Sequence, residues 1–159
     1  QTTSLYTMPF LGGNSRKLAD LGSVTGGCLA PDENHIALIK GGLSESELVI
    51  LNIDGTNERQ IAVSRFPERI MIPAWSPDGK LIAAARTSGG KGEVLVIPVE
   101  GDGPRLLAEG GGHEIPGEPD FSPDSAAVAI SVRVRRHVAP RDDARLSFHR
   151  LSASSIYPV

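Results

Sequence analysis

Pro73-Ala74-Trp75-Ser76-Pro77-Asp78-Gly79-Lys80-Leu81-Ile82-Ala83-Ala84-Ala85 is the stretch whose reading decides the fold. Pro77-Asp78-Gly79 is a turn signal between two apolar runs. Proline presets φ at the second turn position, and Gly79 supplies the left-handed or bulge position that lets the chain pair back on itself. Residues 74–76 and 81–86 are therefore expected to be neighbouring antiparallel strands.

The same stretch recurs. Leu29-Ala30-Pro31-Asp32 and Phe121-Ser122-Pro123-Asp124 align with Trp75-Ser76-Pro77-Asp78, each at a spacing of 46 residues. Ile36-Ala37, Ile82-Ala83 and Val128-Ala129 follow in register. A second block repeats as well: 48–53 with Asp54-Gly55 matches 94–99 with Glu100-Gly101. An earlier copy of this block runs from a strand at 5–10, through Gly12-Gly13, to a return strand at Arg16-Lys17-Leu18. Internal repetition of this kind takes precedence over local propensity in reading a fold.

Each full unit holds four short strands, in the middle copy near 73–76, 81–86, 93–99 and 105–108. A repeating four-stranded antiparallel meander of about 40–50 residues is the signature of a β-propeller blade. Val94-Leu95-Val96-Ile97 and Leu48-Val49-Ile50-Leu51 are apolar on both faces, as a sheet sandwiched between two others requires. Trp75, Phe121 and Leu29 share one position and are expected in the inter-blade core. Pro98 and Pro9 occupy equivalent places, which a missing N–H confines to a strand end or bulge. The expected organisation is all-β. It comprises a half blade at 1–20, whole blades at 23–64 and 70–109, and a half blade at 117–132, an incomplete ring. Residues 133–159 are expected to be a non-repeat tail.

These units resemble the WD-like repeat of TolB-type propellers, whose hallmark is Trp-Ser-Pro-Asp-Gly-Lys followed by an apolar strand. The middle copy matches in full. The first has Leu29, Ala30, Glu33 and Asn34 at departing positions, and the third has Ser125-Ala126 in the last two. Gly12-Gly13 with Arg16-Lys17-Leu18, and Asn52-Ile53-Asp54-Gly55 with Glu58-Arg59, are similar to the C-terminal sensor propellers of bacterial serine/threonine kinases and related regulators. The resemblance covers about residues 4 to 132. It implies a sensing or scaffolding role in a bacterial envelope or signalling protein and a periplasmic or other extracytoplasmic setting. Similar propellers also gate prolyl-oligopeptidase-type peptidases, which is the alternative reading.

With 40% hydrophobic residues and a net charge of −3, the composition is that of an ordinary globular domain. No apolar run reaches the length of a transmembrane helix. The chain begins with Gln and is expected to be part of a longer protein. Cys28 is the lone cysteine, so no internal disulfide can form, and it reads as a small buried hydrophobe. Six Arg against two Asp make 133–150 strongly basic. Without interleaved aromatics or a binding motif, this segment is not expected to bind nucleic acid.

The sequence holds no Gly-x-Ser-x-Gly elbow, His-Glu-x-x-His pair, phosphate loop or kinase catalytic loop. Ser76 and Asp78 recur at one turn, which argues for backbone capping rather than catalysis. The chain is therefore read as a non-catalytic module that binds a protein or small ligand through inter-blade loops. One candidate loop carries His113, Glu114 and Glu118 (with Asp120), the other Arg65, Glu68 and Arg69. His113 and its carboxylates could ligate a metal, but the irregular Gly-rich spacing favours a polar rim, and no metal or cofactor is expected. Self-association through open blade edges is a further expectation. Replacing Gly79 by Val is expected to lower the melting temperature, because a β-branched residue is costly at positive φ; an unchanged thermal transition would contradict the turn assignment.

Overall fold

The computed structural model describes residues 2–101, 103–110, 114–134 and 154–158. In chain order the strands are β1 (Thr3–Thr7), β2 (Arg16–Gly22), β3 (Val24–Leu29), β4 (His35–Gly41), β5 (Glu45–Asn52), β6 (Arg59–Arg65) and β7 (Arg69–Trp75). They continue as β8 (Leu81–Ser88), β9 (Lys91–Pro98), β10 (Arg105–Glu109), β11 (Glu114–Phe121), β12 (Ala127–Val134) and β13 (Ser154–Pro158). Consecutive strands pair antiparallel into sheets β1-β2, β3-β4-β5-β6, β7-β8-β9-β10 and β11-β12-β13. The first strands β3, β7 and β11 neighbour one another from unit to unit, so they form the inner edge of the stack.

The core lies between sheets, because the central strands of the two complete sheets are apolar on both faces. Ile36, Leu38, Val49 and Leu51 of β4 and β5 pack with Leu21 on the β1-β2 side. Their alternates Ala37, Ile39, Leu48 and Ile50 pack against Ile82, Ala84, Leu95 and Ile97 of the next sheet. On the far face of that sheet, Ala83 and Val94 meet Phe121, Val128 and Ile130. Register enforces this alternation: Ile36 faces Leu51 and Ala37 faces Ile50 across the β4-β5 ladder, and Ile82 faces Ile97 across β8-β9. A one-residue slip would exchange the two faces.

Three copies of one turn join the first and second strands. In the middle copy the Gly79 amide donates to the Ser76 carbonyl and the Ser76 amide to the Leu81 carbonyl, at 2.9 and 2.8 Å. The buried Ser76 hydroxyl donates to Asp78 at 2.7 Å and accepts from the Leu81 amide at 2.9 Å. Asp78 also accepts from the Lys80 amide at 3.1 Å. Ser122 and Asp124 repeat the arrangement with the amides of Ala127 and Ala126. Where Ala30 offers no hydroxyl, Asp32 takes both the Asn34 and His35 amides and the His35 ring. Glu33, Gly79 and Ser125 hold φ of 59°, 76° and 59° at the matching place. The turn thus does what its residue types foretold, and Pro31, Pro77 and Pro123 precede the carboxylate in each copy.

Four expectations need correction. The first strand ends at Thr7 rather than residue 10, because the chain turns at Pro9, whose carbonyl accepts from the Gly12 amide. Leu29 is 49% exposed instead of buried. Its counterpart Phe121 packs on Ala83 and Val94 of the second and third strands of the preceding sheet. The described unit before Leu29 contains two strands, β1 and β2, which correspond to a third and a fourth. Trp75 at the same position is partly buried against the inter-sheet core, with its indole N–H on the Gly79 carbonyl.

The other two corrections concern the third unit. β12 runs on to Val134 rather than ending at Val132. The backbone of Ser154–Pro158 then adds a third strand, with Ala127 opposite Pro158 just as Leu81 lies opposite Pro98. Pro158 therefore stands where Pro98 stands, 60 residues later instead of 46. The longer connection hid the repeat from a fixed-period reading. Residues 135–153, with most of the basic stretch, lie outside the described residues.

Ser46 is buried and its hydroxyl accepts the Ile70 amide from the next sheet at 3.0 Å. Ser46→Ala leaves that buried N–H unpaired and is expected to cost about 1–3 kcal/mol in denaturant unfolding. Hydrogen bonds from Ser76 and the Lys80 amide hold the Asp78 carboxyl below its ordinary value, and Ser122 and the Ala126 amide do the same for Asp124. Groups whose folded pKa is depressed stabilise the fold above the unfolded value of 3.8 and lose that effect as pH falls through the folded pKa. Melting temperatures measured from about pH 6 down to about pH 2 should fall at the acid end, and less steeply in the D78N/D124N variant.

Candidate functional site

The two ends of the stack differ. One end carries the Ser-Pro-Asp turns. The other carries the start of each first strand, the hairpin between the second and third strands, and the end of the fourth. The loop joining one blade to the next lies at this second end, and its residues tie the blades together. Arg65 Nε donates to Glu45 Oε2 at 3.0 Å. The Phe66 amide donates to the Ser44 carbonyl at 2.9 Å. Arg69 Nη2 donates to the Gly42 carbonyl at 2.9 Å. Glu68 accepts from Ser88 Oγ at 3.0 Å and from Arg86 at 3.4 Å, and Arg86 in turn reaches Glu93 at 2.5 Å. Of the candidate residues, Arg65 at the end of β6 and Arg69 at the start of β7 both hold the β4-β5 hairpin, while Glu68 between them turns to β8.

Behind this loop an open cavity of about 290 Å³ separates the two complete blades. Thr25 and the Lys40-Gly41-Gly42 segment wall one side, and Arg69 with Ile70, Met71 and Ile72 walls the other. Gly41 sits at φ 116°. A Cβ there would lie 2.4 Å from the Glu45 carbonyl oxygen, so only glycine fits this hairpin. β7 is bulged between Met71 and Pro73, and the bulged residue is Ile72 at φ 48°. A β-branched residue in the left-handed region is strained, and such strain clusters at binding sites. In the hairpin and the connection at this end Leu43 is 84% and Phe66 71% exposed, and Ile72 of the cavity wall is 36% exposed.

Leu43, Phe66 and Ile72 did not emerge from the sequence reading. Leu43 carried a usable signal, an apolar side chain stranded in a Gly-Gly-Leu-Ser turn where no core can take it. Phe66 carried one too, between an arginine and a proline in a connection rather than a strand.

The second candidate loop is only partly described. Glu118 is exposed in β11 at the bulge between Pro116 and Pro119, 46 residues after Ile72 and hence at the equivalent inner-strand position. Glu114 opens β11 with its backbone opposite Val134. His113 lies outside the described residues. Among the described residues no three His, Cys, Asp or Glu side chains cluster as a metal site would.

Nucleophilic chemistry finds no support at the recurrent turn, since the Ser76 hydroxyl is buried and committed to Asp78 and the Leu81 amide. Burial pushes the Cys28 thiol up to about 11, so it stays protonated and unreactive near neutral pH. The connection end thus carries exposed apolar and charged side chains near an open cavity.

No family model matches the chain. Over 67 residues it is 37% identical to the Tol-Pal system protein TolB of Legionella pneumophila (strain Corby), a match covering 42% of this chain and 16% of that protein. The putative TolB of Agrobacterium tumefaciens superposes with a TM-score of 0.66 at 21% identity, covering 87% of this chain and 49% of that one. TolB from Acinetobacter baumannii gives 0.65 at 17% identity, over 80% and 31%. A puromycin-hydrolyzing peptidase of Mycobacterium tuberculosis gives 0.56 at 15% identity, over 74% and 20%. The matched stretch is thus about a sixth of the length of the curated relative, and the superposed part at most about half of these solved chains. Repeat, blade topology and these likenesses together give the chain the fold of TolB-like β-propeller blades.

Proposed function

We propose that the chain is a non-catalytic binding module that recognises a protein through the connection end of its blades. The observation that carries this reading is the exposure of Leu43 and Phe66 on the hairpin and connection that Arg65 and Arg69 tie together, next to a cavity walled by Ile72. Large apolar side chains held in water on a hydrogen-bonded loop pair gain free energy only when a partner covers them. Aromatic and arginine side chains are the residue types that dominate protein interfaces. Glu118 at the equivalent inner position of the next unit extends the same rim. The likeness to a Tol-Pal system protein supports a protein partner and an extracytoplasmic setting, with a sensing or scaffolding role inside a larger protein. The rival reading is a propeller that gates a peptidase, to which the likeness to a peptidase structure lends weight.

The test is partner capture from a bacterial envelope extract by the immobilised chain. Leu43→Ser with Phe66→Ser should weaken capture at least about tenfold if these side chains are central to the contact. Their exposure means that the melting temperature should stay unchanged. Identical capture by the wild type and the double variant would overturn the reading. So would turnover of prolyl p-nitroanilide substrates by the isolated chain.

A further inference from the structure

We infer that the cavity between the two complete blades is a subsite for a carboxylate beside an apolar side chain, presented by an extended peptide; this rests on the binding reading above and names the chemistry recognised.

Charge is the first observation. Two cations line the cavity, Lys40 and Arg69. The Lys40 ammonium is met by both oxygens of Glu58, at 2.7 and 2.9 Å. Arg69 meets no carboxylate among the described residues, and its described side-chain bond is the one from Nη2 to the Gly42 carbonyl. The carboxylates nearest in the loops are already engaged, Glu45 by Arg65 and Glu68 by Arg86 and Ser88. A guanidinium carries five N–H donors in a planar fork that matches a carboxylate. With one donor used, Arg69 holds both charge and geometry in reserve, anchored by the Gly42 carbonyl.

Shape is the second. The wall beside Arg69 is apolar, made of Ile70, Met71 and Ile72. A volume of about 290 Å³ is at the small end for ligand sites, with room for one or two residues. This suits a chain end or an acidic side chain with its neighbour. A bulge leaves its extra residue out of the ladder, and the bulges lie at Thr25 and Ile72 on the two facing first strands. An extended peptide could pair with the freed backbone groups. The strained φ of Ile72 is the third observation, since Gly26 and Glu118 occupy its place in the neighbouring units. An isoleucine there sets an apolar side chain at the mouth at a conformational cost.

The experiment is titration calorimetry on the full chain with three peptides: acetyl-Ala-Leu with a free carboxylate, its carboxamide, and acetyl-Glu-Leu-amide. Binding of the free acid at least about tenfold tighter than the carboxamide is expected, and Arg69→Gln should remove that difference. Binding of the Glu peptide alone would support the subsite with an acidic side chain as its natural source. Arg69→Lys should recover only part of the affinity, because an ammonium lacks the fork. Ile72→Gly should keep or raise the melting temperature, since glycine accepts positive φ, while weakening the peptide. Equal binding of acid and carboxamide with no tighter binding of the Glu peptide, or unchanged binding in Arg69→Gln, would overturn the inference. If no peptide binds while the Leu43→Ser/Phe66→Ser variant still loses its captured partner, the subsite falls and the reading of the rim stands.

Discussion

Burial of both faces of each blade against its neighbours is the constraint from which the rest of this structure follows. A sheet with one wet face can alternate apolar and polar residues, but β4, β5, β8 and β9 cannot. Their runs of Ile, Leu, Val and Ala send alternate side chains into two different cores. Each large aliphatic side chain removed from water contributes about 1.5–3 kcal/mol, so the two faces together dominate what holds the stack. The small residues matter as much as the large ones. Ala83, Ala84 and Ala85 are fully buried, and they let neighbouring sheets approach where a longer side chain would hold them apart. Sheets that can be satisfied only in series must repeat, and the 46-residue period is the covalent record of that requirement.

The recurrent turn serves the same constraint from outside the core. A sheet that is dry on both faces must still return its chain at each end, and the ends hold the backbone groups that no ladder pairs. The Ser and Asp of the turn answer those groups with side-chain oxygens, as at Ser76 and Asp78. The first copy shows which part of the motif is indispensable. It has lost the serine and the glycine, yet Asp32 captures two amides alone and Glu33 takes the left-handed conformation. The carboxylate and the backbone geometry persist where the other residues change.

At the opposite end the same economy leaves room for recognition. The hairpins and inter-blade loop are fixed to each other by Arg65, Glu68, Arg69 and the Phe66 amide. A loop braced in this way can hold Leu43 and Phe66 in water without collapsing over them. Cavity and incompletely used guanidinium lie at this end, while the Ser-Pro-Asp end carries the capped turns together with the exposed Phe10 and Leu11 of the β1-β2 hairpin.

Much of the architecture was legible in the residues alone. Three copies of a turn with doubly apolar strands between them leave few arrangements other than stacked meanders, because period and burial act along the chain. Arg65, Glu68 and Arg69 stand out in the sequence because they interrupt the apolar runs, and the structure sets Arg65 at the end of β6 and Arg69 at the start of β7. The third unit resisted because a longer connection broke the period between β12 and β13 while leaving the pairing register intact. Leu29 misled because burial at its position is conferred by another unit's strands, not by its own. Which arginines find a carboxylate, the exposure of Leu43 and Phe66 and the strain at Ile72 depend on which hairpin lies beside which loop. The sequence by itself thus determined the unit and its repetition, through local turn chemistry and patterning. Only the tertiary structure decided the surface those units build, because contacts between residues such as Arg69 and Gly42 exist only once separate blades have packed.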